Sequence, residues 1–256
     1  MKANKQNDLW DAKHYKKHSK PQFKKGILAL QNIKFNGTEY VLDVGCGDGR
    51  ITAQIAQSVS NGYVLGIDIS QNMITEAINN FSNIKNLEFK CADITKFSSG
   101  KKFDLVVSFS AFHWVNNQKK ALENIFNILK PEGRLEIRMS GKYKGAIDSV
   151  FEMPKWATIL KNQEETYFSQ TPETLTKLLE STGFKKIRVN QEIKEKIYKD
   201  KEEIFNWAFA WVPHATGLPE NKAREFTDDI VKSVCNTQSD NKLSLKSRHI
   251  EAFAIK

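Results

Sequence analysis

The chain has 256 residues, 40% of them hydrophobic and 27% charged, with a formal net charge of +9. That balance excludes a wholly disordered chain, and 13 glycines with 6 prolines exclude collagen-like and low-complexity classes. No run reaches the ~18 consecutive apolar residues of a membrane helix. The charged N-terminus, MKANKQNDLWDAKHYKKHSK, lacks the apolar core of a secretory signal. Three scattered cysteines (Cys46, Cys91, Cys235) without a CxxC pair give neither a disulfide framework nor a zinc ribbon. A reducing, cytoplasmic setting without a bound metal is the expectation.

In chain order, Asp8 to Phe23 can form a short helix. Ile27, Leu28, Leu30 and Ile33 continue with a helical stripe that Asn36-Gly37 ends. From there the pattern alternates. Strands are predicted at Tyr40–Val44, Tyr63–Ile67, Leu87–Cys91, Phe103–Phe109 and Leu135–Met139. Helices are predicted at Ile51–Val59, after Ser70, and at Ala121–Leu129, where Pro131-Glu132-Gly133 stops the last one. Strands alternating with helices of this length mean a parallel sheet covered on both faces. Beyond residue 140 the rhythm changes. Residues 143–163 read as helical, and Thr171–Ser181 as a helix capped by Thr171 and ended at Gly183. Lys185–Ile193 and Ile250–Ile255 read as strands, separated by a helical stretch over 200–246. The expectation is one domain, 1–256: an N-terminal segment over 1–25, a ligand-binding core over 38–140 and a helical cap over 200–246.

The most informative stretch is Val41-Leu42-Asp43-Val44-Gly45-Cys46-Gly47-Asp48-Gly49. A buried strand runs into a glycine-rich turn, and a helix follows. In an open parallel sheet, the turn after the first strand is where adenine-containing ligands sit. Asp68, at the end of the second strand, is placed to accept hydrogen bonds from two ribose hydroxyls. A dinucleotide site follows G-x-G-x-x-G, with a helix N-terminus facing a pyrophosphate. Here the glycines read G-x-G-x-G, and Arg50 stands where the third dinucleotide glycine would be. Asp43, two residues before the first glycine, would repel a pyrophosphate but suits a cationic amino-acid moiety.

These residues resemble the class I S-adenosylmethionine-dependent methyltransferases of small-molecule type, which include the trans-aconitate and juvenile hormone acid methyltransferases. Val41–Gly49 resembles the cofactor loop, Gly66-Ile67-Asp68-Ile69-Ser70 the ribose-binding strand end, and Ala92-Asp93-Ile94 the adenine-contacting turn. Phe103–Ser108 with His113-Trp114 resembles the fourth-strand motif, and Leu129–Leu135 the turn into the fifth strand. All five occur in family order over 38–140. The resemblance implies a Rossmann-like, seven-stranded, mostly parallel sheet with helices on both faces. Its last strand is antiparallel, with an N-terminal helical lid and a helical cap insert before that strand.

It further implies S-adenosyl-L-methionine as cofactor. Asp43, Gly45, Cys46 and Gly47 would line its methionine part. Asp68 would hold the ribose, with Ile69 and Met73 near the adenine. Ala92, Asp93 and Ile94 would meet the ring, with Asp93 accepting from its amine. Ser108 and Phe109 would lie beside the sulfonium. Tyr15 and Gln22 would reach the cofactor from the lid. His18, His113, Trp114, Trp207 and Trp211 are substrate-binding candidates, with His214 and Lys222 able to attract an acid. His113 is also the single weak candidate for a catalytic base. Cys46 reads as a small buried residue and not a nucleophile.

Ser108-Phe109-Ser110-Ala111 replaces the Asn/Asp-Pro-Pro-aromatic motif with which amino-methylating relatives grip an amide or base amine. O-methylation of a carboxylate or similar metabolite, with a small anionic substrate as partner, is therefore the main expectation. The basic charge raises RNA methylation as an alternative. Scattered lysines and only six arginines, with no separate RNA-binding domain, speak against it. A non-catalytic S-adenosylmethionine-binding regulator is the other alternative. Oligomeric state is not legible in the sequence.

Overall fold

The computed structural model describes residues 20–141, 145–161, 163, 166–236 and 242–256. The lid candidates Tyr15 and His18 lie outside them. Gln22 is placed on a helix, but its side chain also lies outside the described set.

Seven strands form one sheet: β1 (Tyr40–Val44), β2 (Tyr63–Asp68), β3 (Leu87–Cys91), β4 (Phe103–Phe109), β5 (Leu129–Ser140), β6 (Lys185–Ile197) and β7 (Ser244–Ile255). Their order is β3-β2-β1-β4-β5-β7-β6. The pairings of β1 with β2 and β4, of β2 with β3 and of β4 with β5 are parallel. β7 runs antiparallel to both β5 and β6. This is the expected sheet, with the expected last strand.

The central strands are near-continuous apolar runs because both of their faces are covered. Along β1 the side chains alternate. Leu42 and Val44 join the large core beneath α4 (Gln118–Ile128) and α7 (Pro172–Thr182). Val41 faces the opposite core, with Ala53, Ile55 and Ala56 of α2 (Arg50–Ser58). Asp43 shares the parity of Val41, so the same alternation that buries the strand aims a carboxylate at α2. Sheet order reverses between β1 and β4, and that switch point opens a crevice at the carboxyl ends of the strands.

α1 (Lys20–Gln31) packs on α2, with Gly26 at the contact. A Cβ on Gly26 would lie 2.6 Å from Ile51 Cδ1, so a larger residue there requires the Ile51 side chain to shift. α3 (Gln71–Phe81) is capped by Ser70, whose hydroxyl accepts from the Met73 amide at 3.1 Å.

Several boundaries differ from the sequence reading. Among the described residues the first helix spans Lys20–Gln31, running through Phe23 and stopping short of Asn36; most of the Asp8–Phe23 expectation lies outside them. β5 begins at Leu129, directly after α4. Pro131-Glu132-Gly133 stops the helix as expected but forms an irregularity inside the strand, with Glu132 at φ 58° and a register shift against β4. The helix expected over 143–163 is two: α5 (Ala146–Phe151) and α6 (Pro154–Leu160). Pro154 cannot donate to a continuing helix, so it opens a new one. β6 and β7 are longer than predicted because their polar halves pair with each other from Asn190–Glu251 out to Ile197–Ser244.

A cap with its own core sits beside the sheet. It is built by α5, α6, α8 (Lys201–Phe209), α9 (Val212–Thr216) and α10 (Glu220–Asn236) around Trp156, Phe226 and Ile230. Its buried polar centre is satisfied: Trp156 Nε1 donates to Asp229 Oδ2 at 3.0 Å, and Lys155 and Lys232 flank the carboxylate.

One side chain ties the far end of α2 to the sheet. Asn86 Nδ2 donates to the Ala56 and Val59 carbonyls at 3.0 and 2.9 Å. Asn86→Ala removes both bonds, leaving the Val59 carbonyl with the Gly62 amide alone, and we expect a loss of about 1–2 kcal/mol in denaturant-induced unfolding.

Candidate active site

The cleft lies at the carboxyl end of β1. Phe23, Gly26, Asp43, Gly45, Cys46, Gly47, Asp48, Arg50, Ile51, Phe109 and Ser110 line a space of about 470 Å³, open mouth included.

The loop is built tightly. The Gly45 and Cys46 amides both donate to the Ile67 carbonyl, at 2.8 and 3.0 Å, pinning the loop to the end of β2. Gly45 sits at φ +76°, and a Cβ there would lie 2.1 Å from the Ala111 Cβ. Glycine is therefore required twice over, by the backbone and by the space. Ser110, in the opposite wall, also has positive φ (59°) and donates its amide to the Arg138 carbonyl at 2.8 Å.

Asp43 is 2% exposed. Thr52 Oγ1 donates to its Oδ2 at 2.7 Å. Burial pushes its pKa from 3.8 up to about 7; the Thr52 bond opposes that rise and the Asp68 charge adds to it. A carboxylate kept this dry is poised for a cationic partner. Asp68 accepts from the Gly47 amide and the Ser70 amide, both at 2.9 Å, so it bridges loop and strand end. Beside it the Ala92 amide donates to the Asp68 carbonyl at 2.8 Å, which brings the end of β3 to the same rim. Ile69 is 62% exposed there, an apolar side chain left open at the cleft's edge.

Asp43 and Asp48 line the cleft and Asp68 touches its loop. This charge pattern rejects a diphosphate and suits an ammonium and a sulfonium. The chemistry of the site fits S-adenosylmethionine.

Of the other predicted residues, Cys46 is buried. Burial pushes its thiol well above the ordinary range, with the Asp68 and Asp43 charges adding to the rise, so it stays a neutral thiol. Met73 and Ile94 are core residues at 3% and 5% exposure. Ser108 is fully buried and spends its hydroxyl on the Val44 carbonyl at 2.8 Å, tying β4 to β1, while Phe109 faces the cleft. Asp93 Oδ1 accepts from the Thr95 amide and hydroxyl, at 2.9 and 2.7 Å, as a turn-forming carboxylate does.

Past Ser110, a single 3₁₀ turn, Phe112–Trp114, carries His113 and Trp114. The Trp114 ring meets Tyr167 at 5.1 Å and His214 at 4.9 Å, both edge-on, and His113 lies 5.0 Å from Tyr167. His113 is buried, and its Nδ1 accepts from the Ser140 amide at 3.3 Å. Trp207 and Trp211 lie elsewhere: they contact each other at 5.8 Å, and Trp207 contacts Tyr198, on the cap core. Sequence reasoning missed Phe23, Asp48, Arg50, Ser110 and Tyr167. Asp48 and Arg50 were visible inside the glycine motif. Ser110 and Tyr167 carry no local signal.

Residues 36–204, more than half of the chain, match the methyltransferase domain family. The chain belongs to this family. It is the class that takes its methyl group from S-adenosylmethionine, in keeping with the carboxylate-lined cleft. Among similar proteins is a juvenile hormone acid O-methyltransferase of Drosophila melanogaster, 29% identical over 78% of this chain and 72% of that protein. Another is a trans-aconitate 2-methyltransferase of Deinococcus radiodurans, 27% identical over 73% of this chain and 75% of that one. A malonyl-[acyl-carrier protein] O-methyltransferase of Bacillus cereus is matched over only 41% of its length. Among solved structures, the Haemonchus contortus phosphoethanolamine N-methyltransferase 2 in complex with S-adenosyl-L-methionine shares the fold. Its TM-score is 0.66 at 18% identity, covering 99% of this chain and 58% of that one.

Two predictions concern this site. Gly45→Ala should weaken S-adenosylmethionine binding roughly tenfold or more in a calorimetric titration, with the fold intact by circular dichroism. The second is a pH dependence. The Asp43 pKa is raised in the folded chain, so between pH 3.8 and about 7 the folded state holds a proton that the unfolded state has released. Its stabilising effect is full below the unfolded value and is lost as pH rises through about 7. Asp43→Asn should therefore stabilise the ligand-free protein at pH 8, by on the order of 3 kcal/mol, and make little difference below pH 4. Urea unfolding of both proteins across that range checks it.

Proposed function

We propose that this methyltransferase O-methylates a small organic acid, most simply at a carboxylate. The reading rests on the dry Asp43 carboxylate on the cleft wall beside the glycine loop. When bound, S-adenosylmethionine supplies an electrophilic methyl group on a positive sulfur.

The chain's residues do the rest. Asp43 pairs with the cofactor's ammonium, and Asp68 takes the ribose hydroxyls while keeping the loop closed through the Gly47 amide. The exposed Ile69 gives the adenine an apolar face, with Ala92 and the turn after it at the ring's edge. Gly45 and Gly47 let the backbone approach the methionine part closely. Phe109 and Ser110 shape the wall at which the acceptor must enter. Holding an oxygen about 3 Å from the methyl, opposite sulfur, supplies several kcal/mol of the barrier reduction by positioning alone.

For the acceptor, three observations support an acid. A carboxylate is ionised at neutral pH and needs no base, which suits a site where His113 Nδ1 is occupied as an acceptor. Trp114, Tyr167 and His214 offer an aromatic wall with an imidazole edge immediately beyond Ser110. The net charge of +9 favours approach of an anion. Two of the similar proteins are by name a juvenile hormone acid O-methyltransferase and a trans-aconitate 2-methyltransferase. On this reading the chain is one domain, with the lid over 1–25, the cofactor core over 38–140 and the cap over 200–246 closing the acceptor side. Among the described residues no helix is long and apolar enough to cross a membrane, in keeping with a cytoplasmic enzyme.

The test is a labelled-methyl assay over panels of small carboxylic acids, phenols and amines. We expect turnover on acids. Turnover confined to RNA or protein contradicts the reading. With the accepted acid, Trp114→Ala should raise KM about tenfold or more with a smaller change in kcat, since it removes a binding face.

A further inference from the structure

β6 is the outermost strand of the sheet, with β7 on its inner side. A strand turns successive N–H and C=O pairs to alternate sides, so every second residue of β6 aims its backbone away from β7. Among the described residues no strand pairs with that outer edge. Proteins usually blunt such an edge with a short strand, a proline or a bulge. Here the strand is 13 residues long and contains no proline. Its register shift against β7 lies between Lys185 and Arg188, so residues 189–197 form a regular ladder. At ~3.4 Å per residue that ladder is roughly 30 Å long. Residues 190–195 are all exposed. Val189 packs on the sheet's main core, and on the same face of the strand Ile193 and Ile197 stand open to solvent at 54% and 60% exposure.

The side chains on this edge are their own complement. A two-fold axis perpendicular to the sheet, beside Ile193, sets two copies of β6 antiparallel. Ile193 then meets itself, and Val189 meets Ile197 on either side of the axis. On the other face Glu192 meets Lys194, twice. Within one chain these two side chains already pair at 2.8 Å, so two copies complete a quartet of alternating charge. Glu195, held by Ser244 and Lys242 of its own chain, meets the neutral Gln191. Moving the axis by one or two residues destroys the match. Centred on Glu192, Lys194 or Glu195, it sets a charge against its own copy; centred on Gln191, it sets Arg188 against Lys194. We propose that β6 is the surface through which two copies of this chain pair, edge to edge about Ile193, in one continuous sheet. The contact is isologous, as a two-fold dimer requires. One strand edge buries less than a standard interface, so the dimer is weak, with a Kd on the order of 10 µM. β6 lies at the far end of the sheet from the β1–β4 crevice, so the inference stands apart from the cofactor and substrate readings.

The experiment is sedimentation velocity of the full chain from about 1 to 300 µM, a range that brackets such a Kd. The samples are the wild-type protein, E192K, K194E, the double variant E192K/K194E, an equimolar mixture of the two single variants, and I193K. We expect the wild-type protein to pass from monomer to dimer across the range. E192K and K194E each set like charges opposite one another twice and should weaken self-association about tenfold or more. The double variant restores opposite charges and should return to within about threefold of the wild type. The mixture sets the lysines of one variant against the glutamates of the other and should dimerise where neither variant does alone. I193K should stay monomeric, since it replaces the central apolar contact by two like charges. A wild-type protein that is monomeric at about 300 µM overturns the proposal, whether the edge is bare or taken by another protein. So does a dimer that the single charge changes leave unmoved, which would pair through a different surface. Single variants that dissociate while both the double variant and the mixture stay monomeric also overturn it, because the charges then do not face one another. Circular dichroism checks that every variant folds. Should one single variant misfold, the double variant and I193K still decide.

Discussion

The site depends on one unfavourable fact: a carboxylate has been taken out of water. Asp43 is buried on the α2 side of β1, with the Thr52 hydroxyl for support. Strand alternation dictates its direction, since a residue of the same parity as Val41 must face α2. A buried carboxylate with this little compensation costs stability when ionised. A ligand that brings a positive charge to it recovers that energy as affinity, and a phosphate-bearing ligand meets repulsion. The choice between cofactor classes is therefore made largely at one atom pair.

The rest of the fold keeps that carboxylate where it is and leaves one side of it accessible. Parallel pairing on both flanks of β1 makes the strand rigid, and the sheet-order reversal between β1 and β4 opens the crevice above it. The Gly45 and Cys46 amides anchor the loop to β2, and Asp68 closes it from the other side through Gly47. On the proposed reading, acceptor specificity belongs to a second layer. There a short turn from β4, the segment around Tyr167 and α9 of the cap meet at the Trp114 ring. This layer is drawn from three separate parts of the chain, so it can change while the cofactor cleft stays the same.

That division also explains what could be read from the sequence. The alternating core was legible because parallel strands are apolar throughout and amphipathic helices intervene. The glycine loop was legible because Gly45 is required by both backbone and space. Asp43 and Asp68 were legible because their offsets from the glycines are fixed by strand length. Met73 and Ile94 were read as ligand neighbours from family position, and both side chains are buried, at 3% and 5% exposure. Asp93 was read from family position, and its Oδ1 accepts from Thr95. Trp207 and Trp211 looked like pocket residues because aromatics cluster there, and they pack the cap instead. Tyr167 and Ser110 left no trace, since one is brought in by tertiary packing and the other is marked only by a backbone angle.

The most direct measurement is the titration of the Asp43 carboxyl itself by carbon-13 NMR, with and without saturating S-adenosylmethionine. The account predicts a midpoint near 7 in the free protein, as burial dictates, moving down by two or more units when the cofactor's ammonium arrives. A midpoint at the ordinary value of 3.8 in the free protein, or one that the ligand leaves unmoved, would contradict it.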